Sequence, residues 1–151
     1  YYYSIILREP VYWVISMWQY ENRDLDLDTY LAEKLEGVPD FYTRRICGSS
    51  CVHLHPLTTK QFLQAKSRLD HFDLVMAQDM VKDVKSTTLI RNKEFPDLMF
   101  PPIRGKTNAG HYPQPNLTLF QLQYIQNQTL MDKVLYEYAK VLHQKKISSY
   151  V

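Results

Sequence analysis

The sequence predicts an α/β fold, a parallel sheet flanked by helices. Three observations carry this expectation. Ser4 to Leu7 and Phe72 to Met76 are short, apolar and rich in β-forming residues. Between and after them, apolar residues recur at helical spacing, so the order reads strand, helix, helix, strand, helix. With 45% hydrophobic and 23% charged residues, the composition is that of a globular chain and not of a disordered one.

Each element follows from local chemistry. Pro10 suits the first position of a helix, where its missing N–H is not needed. Val11, Val14, Ile15 and Trp18 recur at helical spacing, and Tyr12, Trp13 and Met17 make that helix apolar nearly all round. It is therefore expected to be well buried. Asn22-Arg23-Asp24 ends it. Asp28 is the expected cap of a second helix through Leu35, with Gly37 as its stop. Pro39 to Ile46 reads as a helical turn, broken by Gly48-Ser49-Ser50, and His53 to Pro56 reads as a loop. Thr58 or Thr59 caps an amphipathic helix carrying Phe62, Ala65 and Leu69, which runs into the second strand. Asp79 to Ile90 returns to helix. From Phe95 to Asn116 no apolar period survives, and five of the 8 Pro fall there, so a long loop is expected. A helix near Leu117 to Ile125 follows, then a strong one from Thr129 to about Lys146, with Leu130, Val134, Tyr138, Val141 and Leu142 as its apolar stripe.

The 151 residues suffice for one domain with a sizeable core. A net charge of +2 is too small to argue for a nucleic-acid partner, which needs a clustered basic patch. Two Cys do not make a disulfide scaffold. No apolar run is long enough to span a bilayer, and no signal peptide opens the sequence. Three tyrosines run straight into a buried-looking strand, which raises the expectation of a missing N-terminal segment.

The stretch with chemistry in it is Tyr3 to Ser16. Arg8 leaves the end of the first strand, Pro10 opens a helix, and Ser16 lies two turns on. A terminal phosphate wants a permanent cation that bonds in a bidentate way, and neutral donors such as a hydroxyl or the N–H groups of a helix start. Ligands of open α/β sheets bind outside the carboxyl ends of the strands. The competing reading pairs Arg8 with Glu9 and lets Ser16 bond back into its own helix.

Leu7 to Val11, L-R-E-P-V, followed by Ser16, resembles the 3′-phosphate-binding segment of sulfotransferases that use 3′-phosphoadenosine-5′-phosphosulfate. The likeness is closer to Golgi carbohydrate sulfotransferases, such as the heparan sulfate 2-O- and 6-O-enzymes. Asp40 to Gly48 is similar to a short family segment, with Asp40 in place of the usual Asn. Ala65 to Asp79 resembles the helix and strand that finish in an acidic turn, with Gln78 where an acid is common. Asp132 to Ala139, D-K-V-L-Y-E-Y-A, is close to the last-helix pattern. The resemblance implies a P-loop-NTPase-like sheet, incomplete at its N-terminus because the 5′-phosphosulfate loop and the catalytic base are absent. It further implies transfer of a sulfuryl group to a hydroxyl of a glycan, without a metal, in the Golgi lumen, with any membrane anchor outside this chain. Arg8 and Ser16 would hold the donor's 3′-phosphate. Arg104 and Lys106, in Arg104-Gly105-Lys106-Thr107-Asn108, would close over it. Arg44, or its neighbour Arg45, would meet an anionic acceptor, with a salt bridge inside the fold as the alternative.

Rival readings are a small kinase of the same architecture and a non-catalytic glycan- or protein-binding module. Cys47, Cys51, His53 and His55 do not have a standard zinc spacing, so a local disulfide or two free thiols are preferred. Asn116-Leu117-Thr118 and Asn127-Gln128-Thr129 are N-glycosylation triplets and lean towards a secretory lumen.

Overall fold

The computed structural model describes residues 1–21, 24–35, 39–54, 56–80, 84–96 and 115–150. It is a mixed α/β structure, mostly helical, around a small parallel sheet. Strand β1 (Ser4–Leu7) and strand β2 (Leu74–Ala77) pair from Ser4↔Leu74 to Leu7↔Ala77. Everything between them is crossover: α1 (Pro10–Glu21), α2 (Leu27–Tyr30) running into a π turn at Leu31–Leu35, α3 (Phe41–Cys47), α4 (Ser49–Val52) and α5 (Thr59–Leu69). After β2 come α6 (Val84–Glu94), α7 (Leu119–Gln128) and α8 (Leu130–Ser148). Parallel strands require a long crossover, and the intervening helical patterns supply it.

The two edges of the sheet differ. Tyr3 and Leu7 turn their carbonyls to β2, accepting from Leu74 and Gln78. By the alternation of a parallel ladder, Ser4 and Ile6 turn their N–H and C=O groups the other way. Both residues are exposed, Ile6 by 50%. The outer edge of β2 is closed instead: α8 packs against it, and the Ala77 N–H donates to Nδ1 of the buried His143 at 3.1 Å. Covering a strand edge in this way blocks further pairing there, so among the described residues the open edge of the sheet is that of β1.

Burial forms two clusters. Leu7, Ile46, Cys47, Cys51, Ala65, Leu69, Val75, Ala77, Leu135, Tyr136 and Ala139 join the sheet to α3, α5 and α8. Val14, Ile15, Leu27, Tyr30, Leu31, Leu35 and Ile125 join α1, α2 and the π turn to α7.

Several boundaries differ from expectation. The side chain that caps α2 is Asp26, which accepts from the Thr29 N–H at 2.9 Å, not Asp28; Gly37, its expected stop, is outside the described residues. Asp26 lies two residues before Asp28 and is the one whose backbone is extended, as a cap requires. Gly48 breaks the chain as expected, at φ +105°, yet Ser49 and Ser50 start the short α4. Helix α6 begins at Val84 rather than Asp79, since Asp79 is spent in the turn after β2. Helix α1 is less buried than its composition suggests. Val14 and Ile15 are enclosed, while Tyr12 and Tyr20 are exposed. Of Thr58 and Thr59, it is Thr58 that caps α5, in a reciprocal box with Gln61.

Candidate functional site

The carboxyl ends of β1 and β2 lie side by side, and the polar groups of interest gather there. Arg8 follows β1 directly and is half-buried. Its N–H donates to the phenol of Tyr42 on α3 at 3.2 Å. Burial raises the Tyr42 phenol above its ordinary value, so it stays protonated and serves as a fixed dipole. The Arg8 guanidinium makes no hydrogen bond or ion pair among the described residues.

Glu9 does not pair with Arg8. Its carboxylate accepts instead from the Tyr12 N–H at 2.9 Å and so caps the start of α1. That bond has a cost for the anion reading. Pro10 has no N–H, and the Tyr12 N–H is taken, so the helix start has little left for a phosphate. Ser16 is half-buried on α1, and its hydroxyl makes no bond back into the helix. An anion held here would rest on the guanidinium of Arg8 and the hydroxyl of Ser16 more than on helix N–H groups.

Arg44 is a different case. It is 3% exposed, and its Nε donates to the Pro39 carbonyl at 2.5 Å, while Nη1 reaches the carbonyls of Cys51 and Leu54. The side chain that the resemblance assigned to an anionic acceptor therefore ties the start of α3 to the loop after α4. The expected alternative, a salt bridge, is not formed among the described residues either, where Arg44 bonds to carbonyls. Of the pair, Arg45 is the exposed one, with its guanidinium over the Phe41 ring at 5.2 Å. Arg104 and Lys106, and with them the basic loop, lie outside the described residues, as do His55 and His111. Cys47 and Cys51 form a disulfide, buried in the core. His53 is exposed. Among the described residues no group of His, Cys, Asp and Glu is arranged to hold a metal.

Beneath the strand ends sits a device that sequence reasoning missed. Asp132 on α8 is fully buried and accepts from the N–H groups of Tyr42 and Thr43 at 2.9 and 2.7 Å, and from the Thr43 hydroxyl at 2.8 Å. In return, Asp40 accepts from the N–H groups of Met131 and Asp132 at 2.8 and 3.1 Å. Each helix is thus capped by an aspartate next to the other's start. Asp40 holds a left-handed backbone at φ 53°, which Asp and Asn tolerate better than most residues. Burial raises both carboxyls, Asp132 to about 7, against the lowering effect of its donors. The signal available was Thr129-x-x-Asp132, the pattern of a local capping box. Thr129 instead donates to the Ile125 carbonyl, and Asp132 turns to α3.

A second missed group is Asp79, just past β2. It accepts from the Tyr136 phenol, beside Lys140, whose ammonium lies over the Tyr136 ring at 5.8 Å. His143 lies next along α8, its pKa lowered by burial. Nδ1 accepts from Ala77, so the proton sits on Nε2, which is buried without a partner among the described residues. Gln78, where the resemblance expected an acid, gives its N–H to Leu7.

Comparison with protein-family models, with curated proteins and with solved structures gave no match for this chain.

Proposed function

We propose that this chain is the C-terminal part of a carbohydrate sulfotransferase domain, which moves a sulfuryl group from 3′-phosphoadenosine-5′-phosphosulfate to a hydroxyl of a glycan. The observation that carries this reading is the guanidinium of Arg8. It is half-buried at the carboxyl end of a parallel strand, unpaired among the described residues, and followed by a helix bearing a free serine hydroxyl. A permanent cation in that position suits the donor's 3′-phosphate. The open edge of β1 is in keeping with a P-loop-NTPase-like sheet to which further strands add. The Cys47–Cys51 disulfide is in keeping with an oxidising lumen such as the Golgi.

In this reading, Arg8 and Ser16 anchor the remote end of the donor, and the binding energy gained there positions the sulfuryl group in line with the acceptor oxygen. The acceptor oxygen forms its bond to sulfur and gives its proton to a general base as the bond from sulfur to the 5′-phosphate oxygen breaks. Adenosine 3′,5′-bisphosphate leaves with the electron pair, and cations absorb the spreading charge. Arg104 and Lys106 take part by resemblance, as the basic loop that closes on the 3′-phosphate. Arg44 is dropped from acceptor contact, because its guanidinium is already committed to three carbonyls.

The test is titration calorimetry with adenosine 3′,5′-bisphosphate. Arg8→Ala is expected to weaken binding at least tenfold, as for a lost charge-assisted contact of about 1.5–3 kcal/mol. Lys106→Ala is expected to cost about 1 kcal/mol or more. Equal affinity in wild type and Arg8→Ala would sink the assignment.

A further inference from the structure

Helix α7 turns one face to solvent, and that face begins with two large apolar side chains. Leu119 is 70% exposed and Phe120 73%. Gln123 and Asn127 are exposed as well, and at the helical rotation per residue all four fall within a sector of about 100°. Tyr124 lies beside Phe120 at 6.4 Å between ring centroids, but does not cover it. An uncovered Leu–Phe pair at a helix start needs a reason.

Each end of this face carries an N-glycosylation triplet. Asn116-Leu117-Thr118 lies in the extended chain immediately before α7, and Asn127-Gln128-Thr129 spans its last turn. Asn116 and Asn127 are both exposed, and neither amide has a partner among the described residues. A separate observation bears on the compartment: the buried Cys47–Cys51 disulfide belongs to an oxidising one, where N-glycosylation also takes place.

We propose that Asn116 and Asn127 carry N-linked glycans whose first sugars cover the Leu119–Phe120 face of α7. The inference does not rest on the sulfotransferase reading. Asn116 precedes Phe120 by four residues, and Asn127 follows it by seven, about 10 Å along the axis. The apolar faces of pyranose rings pack well on an aromatic ring, while their hydroxyls keep the surface wet. In the transfer step, the side-chain Nδ2 forms a bond to C1 of the first sugar of a polyprenyl-diphosphate-linked oligosaccharide. The C1–oxygen bond breaks, the polyprenyl diphosphate leaves with the electron pair, and Nδ2 gives up one proton to the transferase.

The fold also sets an order. Thr118 is exposed at the α7 N-cap, but Thr129 is buried and its hydroxyl donates to the Ile125 carbonyl. The transferase must engage the Thr hydroxyl, so Asn127 is modified only before α7 docks, whereas Asn116 is still open afterwards.

The experiment expresses the full chain through the secretory pathway of animal cells, as wild type, Asn116→Gln, Asn127→Gln and the double variant. Peptide mass spectrometry after amidase release in heavy-oxygen water reads Asn-to-Asp conversion at each site. Both sites are expected to be occupied in wild type, with one lost in each single variant and both in the double. Secreted, folded protein with neither site converted overturns the proposal. Hydroxyl-radical footprinting of Phe120 then reads the cover: its oxidation is expected to rise several-fold once the glycans are removed. Unchanged oxidation overturns the covering role.

Discussion

Replacing Asp132 with alanine tests the crossed caps that hold α3 and α8 together, and with them the phenol of Tyr42 against Arg8. The substitution frees three donors: the N–H groups of Tyr42 and Thr43 and the Thr43 hydroxyl. Thr43 is fully buried and Tyr42 half-buried. At about 1–3 kcal/mol for an unsatisfied buried donor, and less for the half-buried one, the gross loss is about 4 kcal/mol. Against this stands the relief of removing a buried carboxyl. Its pKa in the fold is about 7, above the unfolded value of about 3.9, so the folded chain binds the proton more tightly. Between these two values stability therefore falls as pH rises, and the loss is complete above the folded value. Three pH units correspond to about 4 kcal/mol. The alanine variant is spared this penalty. The difference between wild type and variant should then be about 2–3 kcal/mol in favour of wild type at pH 5 and shrink towards zero at pH 8. Urea denaturation at the two pH values, with an unchanged slope, measures it. A difference that stays constant with pH refutes the raised carboxyl, and one below about 1 kcal/mol at pH 5 refutes the cap itself.

Other substitutions separate structural from binding roles. Arg44→Lys puts a single ammonium where a guanidinium now reaches the carbonyls of Pro39, Cys51 and Leu54. A loss of about 3 kcal/mol in denaturant unfolding is expected, with the affinity of the folded variant for adenosine 3′,5′-bisphosphate unchanged. Gly48→Ala places a Cβ at φ +105° against the Arg68 guanidinium, which donates to the Ile46 carbonyl at 3.3 Å. The Arg68 end can swing out, so backbone strain sets the cost at about 1–3 kcal/mol, and a melting temperature equal to wild type would contradict it.

The strand at Ser4–Leu7 was legible because a short apolar β-rich run ending before Arg-Glu-Pro has few other uses. The cap of α5 was legible from Thr58 with Gln61 three residues on. The last helix was legible as a helix, but its inward face was not. Of the expected stripe, Leu130, Val134 and Val141 are exposed, and Asp132, Leu135, Tyr136, Ala139 and His143 are buried instead, because the sheet and α3 set which face docks. The cap of α2 was misplaced because Asp26 and Asp28 are equivalent as residue types. The role of Arg44 was misread for a related reason: Arg44 and Arg45 are identical in sequence, and only the turn of α3 sends one inward to carbonyls and the other outward over Phe41.

What the sequence determined by itself is local: where the chain is extended, where it is helical, and that a cation and a hydroxyl follow a strand end eight residues apart. Periodicity and capping chemistry act within a few residues, so they can be read along the chain. What only the tertiary structure decided is who meets whom. Asp40 and Asp132 are 92 residues apart and exchange caps. Among the described residues, Glu9 turns to α1 and leaves Arg8 unpaired, His143 closes one edge of the sheet, and β1 is left with the other edge open. Those outcomes depend on burial and on competition among distant donors and acceptors, which no local pattern encodes.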